Sequence, residues 1–187
     1  MTEASPVLAA ENHVFQKAGS VGKALPGVDI KIDAPDENGH GEVIAKGGNI
    51  MLGYLGVDET PIKDGYLLTG DIGYLDDDGY LFLCGRKKNV IVLRSGKNVF
   101  PEELEELLCQ IEGVKECVVY LPDGDHALLS AKIVYNAEQT VPDALHAAVA
   151  NLNDTLPDYK KIRALSFTTE AFPKTTTGKI KRAEAII

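Results

Sequence analysis

The apolar residues of this 187-residue chain change their spacing once, at Gly85-Arg86-Lys87-Lys88-Asn89. Before that stretch they sit in short runs that alternate apolar and polar, the two-residue period of a strand. After it, such runs are interleaved with apolar residues at i, i+3, i+4 and i+7, the period of a helix with one buried face. A chain with this change is expected to form two lobes. The fold class expected is therefore α+β: a small β-rich subdomain over residues 1–84, a tight hinge over 85–89, and a compact α+β domain over 90–187. The joint lacks the Pro/Ser-rich look of a long linker, and a few residues that absorb a change in φ and ψ are enough for a hinge.

In the first lobe, residues 1–19 show no strong periodicity. Val28-Asp29-Ile30-Lys31-Ile32 alternates cleanly after the turn Leu25-Pro26-Gly27. The loop Asp36 to Gly41 leads to a second strand, Glu42-Val43-Ile44-Ala45-Lys46, which Gly47-Gly48 breaks. Ile72 to Leu75 and Tyr80 to Cys84 flank the turn Asp76-Asp77-Asp78-Gly79. Short strands, glycine turns and no convincing helix predict a small sheet or barrel for residues 20–84.

In the second lobe, a short apolar run, Val90 to Leu93, precedes a helix that starts at Pro101. Glu102 and Glu103 suit its positive end, and Leu104, Leu107, Leu108 and Ile111 form its buried stripe. Gly113 is a stop signal. Val114 to Tyr120 and Leu128 to Tyr135 read as strands. A second helix begins near Pro142, buries Leu145, Ala148, Val149 and Leu152, and ends before Pro157. A last strand, Ile162 to Thr168, leads into Pro173-Lys174-Thr175-Thr176-Thr177-Gly178-Lys179.

Composition narrows the function. A net charge of −9 argues against nucleic acid, whose phosphates need a basic face. Basic residues nevertheless crowd the end of the chain: Lys160, Lys161, Arg163, Lys174, Lys179, Lys181 and Arg182. That local excess suits a small phosphate-bearing ligand, or it is a solvated basic edge. No segment approaches the roughly 18 consecutive apolar residues of a membrane helix. The first residues, MTEASPVLAAENH, lack the basic start and apolar run of a secretory signal. Cys84, Cys109 and Cys117 share no metal-ligand spacing and are odd in number, which fits a reducing cytoplasm.

Three places could carry chemistry. Asp71 follows Thr69-Gly70 at the expected entry to a strand. Its two oxygens could accept both hydroxyls of a ribose diol, although for a lone Asp after Gly an ordinary Asx turn is the favoured reading. Arg86 could pair with a phosphate or with a local acid. Lys179 lies in a polar, glycine-bearing loop, expected to be mobile, that could deliver its ammonium to an anion, or it is an ordinary surface lysine. At about 4 Å and an effective dielectric near 20 that contact gains roughly 4 kcal/mol. The loop is not a GxxxxGK[ST] phosphate loop, because Ile180 follows the lysine and the earlier glycine is missing. Ser95-Gly96-Lys97-Asn98 is an anion-binding turn or a plain connection.

Taken in series, GNIMLGYLG, DGYLLTGD, GRKKNVIVLRSGKNVFPEELE and PKTTTGKIKR resemble the C-terminal part of the acyl-adenylate-forming enzymes, the superfamily of acyl-CoA synthetases, luciferases and peptide-synthetase adenylation domains. Met1-Thr2-Glu3 resembles the end of that family's YGxTE motif. The form GRKK…SGKN…PEELE is most similar to fatty-acyl-CoA synthetases. The resemblance implies that residues 1–84 are the β-rich end of the AMP-binding N-terminal domain and that 90–187 are its mobile C-terminal domain. It implies that Thr2 touches ATP phosphate and Glu3 helps hold Mg²⁺. Asp71 would bind the ribose and Arg86 the nucleotide. Lys88 would be the hinge residue, Gly96 would lie beside the channel for coenzyme A, and Lys179 would bridge the substrate carboxylate and the nucleotide. The partners implied are ATP, a carboxylic acid and coenzyme A. The reaction implied is adenylation of the acid with release of pyrophosphate, rotation of the small domain, and thioester formation.

The family's phosphate loop, adenine-binding strand and acyl pocket lie upstream of YGxTE, so the chain is expected to be a piece of a longer enzyme and inactive alone. A sheet cut from its neighbours could also pair with a second copy through its edge. Two alternatives are a non-catalytic binding or regulatory module of the same fold, and an adenylation domain that loads a carrier protein. The intact Asp71, Arg86 and Lys179 weigh against the first, and the missing GRxDxQVK pattern weighs against the second.

Overall fold

The computed structural model describes residues 1–14, 16–124 and 127–186. It divides into two compact units, Met1–Lys88 and Asn89–Ile187. The first is built almost wholly of strands and the second of helices and strands.

The first unit opens with a 3-10 turn, Thr2–Ala4, and a short ladder of β1 (Ala9–Ala10) with β2 (Lys23–Ala24). Its main body is an antiparallel sheet of β3 (Val28–Asp33), β4 (Gly41–Gly47), β5 (Ile62–Lys63), β6 (Tyr66–Leu75) and β7 (Leu81–Arg86). The order is β3-β4-β6-β5, with β7 also paired to β6. Alternation places Ile30, Val43, Ala45 and Leu81 on the inner face, where Leu8, Ile32 and Ile50 pack on them. The alternating pattern anticipates β3, β4 and the outer part of the β6–β7 hairpin. It misses the first half of β6. Asp71 stands inside a ten-residue strand and not at a strand's entry.

That difference has a local cause. Between the pairs Glu42↔Ile72 and Ile44↔Leu68, the single residue Val43 faces Thr69, Gly70 and Asp71. The strand bulges there, the apolar alternation breaks, and Gly70 takes φ +71°, a conformation that glycine adopts without steric cost.

The second unit begins at Asn89, the last residue of the 3-10 turn Lys87–Asn89, and continues into a small hairpin of β8 (Ile91–Val92) and β9 (Asn98–Val99). The apolar run Val90 to Leu93 thus supplies β8, which pairs with β9. Gly96, at φ +79°, turns the chain back, and its N–H donates to Leu93 O at 2.8 Å. Then come α1 (Pro101–Cys109), β10 (Val114–Tyr120), β11 (Ser130–Tyr135), α2 (Pro142–Thr155), β12 (Ala164–Thr168) and α3 (Arg182–Ala185). β10 and β11 run antiparallel, whereas β12 joins β11 in parallel after the α2 crossover.

One face of this sheet buries Cys117, Val119, Ala131 and Ile133 against Leu104 and Leu108 of α1 and Leu145 and Val149 of α2. The opposite faces of β10 and β11 present Val118 and Val134, and the end of the chain covers them with Phe172 and Ala185. The period-two alternation of the strands therefore builds two cores, a large one under the helices and a small one under the tail. Among the described residues no helix is long and apolar enough to cross a membrane.

Candidate functional site

In the first unit the paired register sets Asp71 opposite Arg86 on β6 and β7. Arg86 Nε stands 3.0 Å from Asp71 Oδ1, with both side chains part-exposed. Arg86 Nη1 also donates to Thr69 O at 3.1 Å, so the guanidinium spans the mouth of the bulge. Of the two partners the sequence left open for Arg86, the structure shows the local acid.

The bulge is fastened from behind by Glu42, a residue the sequence marks only as part of a strand. Glu42 is 7% exposed. Its Oε1 accepts the Gly70 N–H at 3.1 Å and its Oε2 takes the Lys87 ammonium at 2.6 Å. Thr69 Oγ1 donates to Val43 O at 2.7 Å and accepts the Asp71 N–H at 3.1 Å. The buried carboxylate is thus satisfied by a backbone donor and a cation, as burial requires. Three consecutive residues, Thr69 to Asp71, are locked in one geometry with the Asp71 carboxylate at the surface.

Thr2 is exposed and Glu3 half-buried in the 3-10 turn at the start of the chain. The Tyr54 hydroxyl donates to Glu3 Oε1 at 2.9 Å. The Glu3 carboxyl lies below its ordinary value, first through a backbone hydrogen bond and then through Tyr54, with a smaller contribution from the charge of Arg86. Among the described residues no three acidic, histidine or cysteine side chains cluster as a cage for a metal. A lone carboxylate fits a magnesium ion that keeps water and phosphate oxygens as its other ligands.

Lys88 is exposed in the 3-10 turn Lys87–Asn89, at the end of the first unit. In the second unit Gly96 tops the open β8–β9 turn, and a Cβ built on it would meet nothing within 4 Å. Lys179 is exposed. Its loop is not slack: the Thr175 N–H donates to Lys179 O at 2.8 Å, the Gly178 N–H to Thr175 O at 2.9 Å, and the Lys179 N–H to Thr175 Oγ1 at 3.2 Å. The structure places Thr2, Glu3, Asp71 and Arg86 in one unit and Gly96 and Lys179 in the other. An open cleft of about 310 Å³ in the second unit, between Ile91, Pro101, Tyr120 and Ile186, and one of about 750 Å³ beside Tyr66 in the first, contain none of these residues.

Residues 103–179 match the family described as AMP-binding enzyme C-terminal domain. The chain is 37% identical over 169 residues to 2-succinylbenzoate–CoA ligase of Lactococcus lactis, covering 90% of this chain and 35% of the relative. It is 34% identical over 195 residues to long-chain-fatty-acid–CoA ligase of Salmonella typhimurium, covering 98% of this chain and 34% of the relative. Among solved structures, o-succinylbenzoate CoA synthetase of Bacillus subtilis in complex with its acyl-adenylate intermediate is similar with a TM-score of 0.85 and 27% identity, over 98% of this chain and 39% of that one. The same enzyme in complex with ATP and magnesium ion gives 0.84. The chain spans about a third of the length of the curated relatives it matches.

Proposed function

We propose, from the match of residues 103–179 to the AMP-binding enzyme C-terminal domain, that this chain serves an ATP-dependent carboxylate–CoA ligase. In the first half-reaction a carboxylate oxygen bonds to the α-phosphorus of ATP and the bond to pyrophosphate breaks. In the second, the thiolate of coenzyme A attacks the acyl carbon and AMP leaves with the bonding pair.

The observation that carries this reading is the pinned Thr69-Gly70-Asp71 bulge. Asp71 presents acceptor oxygens suited to a ribose diol, and Arg86, bonded to Asp71 and to Thr69 O, prevents the carboxylate from swinging away. Thr2 and Glu3 face the phosphates, with Glu3 as one ligand of the magnesium ion that arrives with ATP. Lys179 brings a positive charge to the reacting carboxylate and phosphate. A fixed cation aimed at developing charge costs no reorganisation when the bond forms. Lys88 is the pivot, and the β8–β9 turn at Gly96 serves the coenzyme A side.

The acid is a fatty acid on the reading of the GRKK and SGKN stretches. Comparable identity to a 2-succinylbenzoate ligase and to a long-chain fatty-acid ligase makes an aryl-bearing acid the competing substrate. Alone, the 187-residue chain makes no acyl-adenylate, because its candidate groups are part-exposed charges, and exposed pairs contribute about 0–1 kcal/mol. β3 ends the sheet of the first unit, and a second copy can pair there.

The test is single-turnover kinetics of the full-length enzyme that carries this chain, with ATP, Mg²⁺ and a panel of fatty and aryl acids. Lys179→Ala should slow pyrophosphate release by roughly 10²–10³ while thioester formation from preformed acyl-adenylate is spared. Equal damage to both half-reactions would remove Lys179 from the adenylation step.

A further inference from the structure

Lys179 is an exposed side chain on a nine-residue excursion, and both ends of that excursion are tied to carboxylates from elsewhere in the second unit. On the incoming side, Glu116 of β10 accepts the Phe172 N–H through Oε2 at 3.1 Å and pairs with Lys174 through Oε1. On the outgoing side, Arg182 forms a two-pronged contact with Glu105 of α1, Nη1 to Oε1 and Nη2 to Oε2, each at 2.7 Å. Glu105 Oε1 also accepts the Val119 N–H at 2.7 Å, closing the free edge of β10. The stems meet each other where the Lys181 N–H donates to Pro173 O at 2.8 Å. Beneath them Phe172 and Ala185, 6% and 1% exposed, pack on Val118 and Val134.

We propose that Glu105 and Glu116 are positioning residues for Lys179: each clamps one stem of its turn, and together they convert a polar loop into a rigid mount. The proposal rests on the reading of Lys179 as the adenylation lysine. A surface loop of Thr and Gly would otherwise sample many conformations, and a misplacement of about 1 Å at a reacting centre costs up to about 10²-fold in rate. The arginine–carboxylate fork fixes direction as well as distance, which a lysine in place of Arg182 could not do. Burial is the main influence on Glu105 and raises its carboxyl above the ordinary value, against the opposing pull of Val119 and Arg182. Glutamine at that position keeps one acceptor oxygen and loses the other, so one prong of the Arg182 fork is broken.

The first measurement uses this chain as it stands. Backbone order parameters of Gly178 and Lys179 should lie near the rigid value of about 0.85 and fall below about 0.6 in Glu105→Gln and Glu116→Gln, with amides of β11 unchanged. Arg182→Lys provides a second break of the same clamp should Glu105→Gln fail to fold. The second measurement uses the full-length enzyme. Each variant should slow adenylation about tenfold or more, spare thioester formation, and add nothing to Lys179→Ala in the double variant. Unchanged order parameters overturn the proposal. So does a double variant slower than Lys179→Ala by the full factor of Glu105→Gln, because Glu105 would then act independently of the lysine. A Lys179→Ala enzyme that adenylates normally overturns the underlying reading, and the proposal with it.

Discussion

Arg86 and Asp71 face each other across two antiparallel strands, with guanidinium Nε 3.0 Å from carboxylate Oδ1. The pair stands where β6 bulges and Gly70 has φ +71°. Arg86 therefore does two things at once: it neutralises Asp71 and, through Thr69 O, props the bulge that carries it.

If Asp71 holds the ribose of ATP, Asp71→Asn should raise the KM for ATP far more than it lowers kcat, since a ribose contact is made equally in the ground and transition states. Hydrogen bonds to a charged acceptor are worth about 1.5–3 kcal/mol, so the expected rise is roughly 10- to 150-fold. A variant that loses kcat with an unchanged KM for ATP would assign Asp71 to the chemistry instead. Arg86→Lys should give a smaller rise, because lysine keeps the charge and loses the geometry that reaches both Asp71 and Thr69.

Glu42 is expected to matter to the same site through stability. Glu42→Ala strands the Gly70 N–H and leaves the Lys87 ammonium at the surface. A buried unsatisfied donor costs about 1–3 kcal/mol. For a unit of this size each kcal/mol lowers Tm by about 4–8 °C, and the change should appear in the first unit. Hydrogen exchange of β4 and β6 amides reports it directly. Unchanged protection there would mean that Glu42 does not brace the bulge.

These residues also show where the sequence could be read and where it could not. The helices α1 and α2, the strands β10 and β11, and the outer hairpin of the first unit follow from local spacing, because each buries one face against its neighbours. Asp71, Arg86 and Lys179 could be marked because chemistry needs carboxylate, guanidinium and ammonium groups near glycine turns. The first half of β6 was hidden by its own bulge, where Thr69, Gly70 and Asp71 break the alternation. Glu42, Glu105 and Glu116 looked like ordinary strand and helix residues. Their roles depend on partners far along the chain: Gly70 and Lys87 for Glu42, Arg182 for Glu105, and Lys174 for Glu116. No periodicity carries such pairings, and only the packed fold brings them together.

Acid should weaken the first unit through a pair unrelated to the candidate site. Lys17 Nζ lies 2.5 Å from Asp76 Oδ2 and 3.1 Å from Asp78 Oδ2. The hydrogen bond from Lys17 holds the Asp76 carboxyl below its ordinary value of 3.8, and Lys17 is held above 10.5 by the same contact. A depressed carboxyl contributes stability that is present above 3.8 and lost as pH falls through the folded value. A raised lysine contributes stability that is present below 10.5 and lost as pH rises through its folded value. The pair is only part-buried at the surface, so the effect is small and should fade with salt. Asp76→Asn should flatten the decline in first-unit protection below about pH 4, the region set by these groups. An acid limb identical to that of the wild-type chain would show that other carboxylates dominate it.

The pivot at Lys88 can be tested by fixing one backbone angle. Lys88 lies at the last position of the first unit, in a one-turn 3-10 segment, with an exposed side chain. Its side chain can therefore be replaced without opening a core. Proline holds φ near −65° and removes the N–H. A helical turn tolerates that φ, so Lys88→Pro should fold, but a joint that must change φ between two working states is then held in one of them. If the state seen by adenylation is the one retained, pyrophosphate release should remain near the wild-type rate while thioester formation from preformed acyl-adenylate collapses. Lys88→Ala, which keeps the freedom of φ, should leave both half-reactions within a few-fold of wild type. That contrast separates a backbone role from a side-chain role. A proline variant that transfers the acyl group to coenzyme A at the wild-type rate would place the rotation at another bond. Equal losses in the alanine and proline variants would make Lys88 a contact residue and not a hinge.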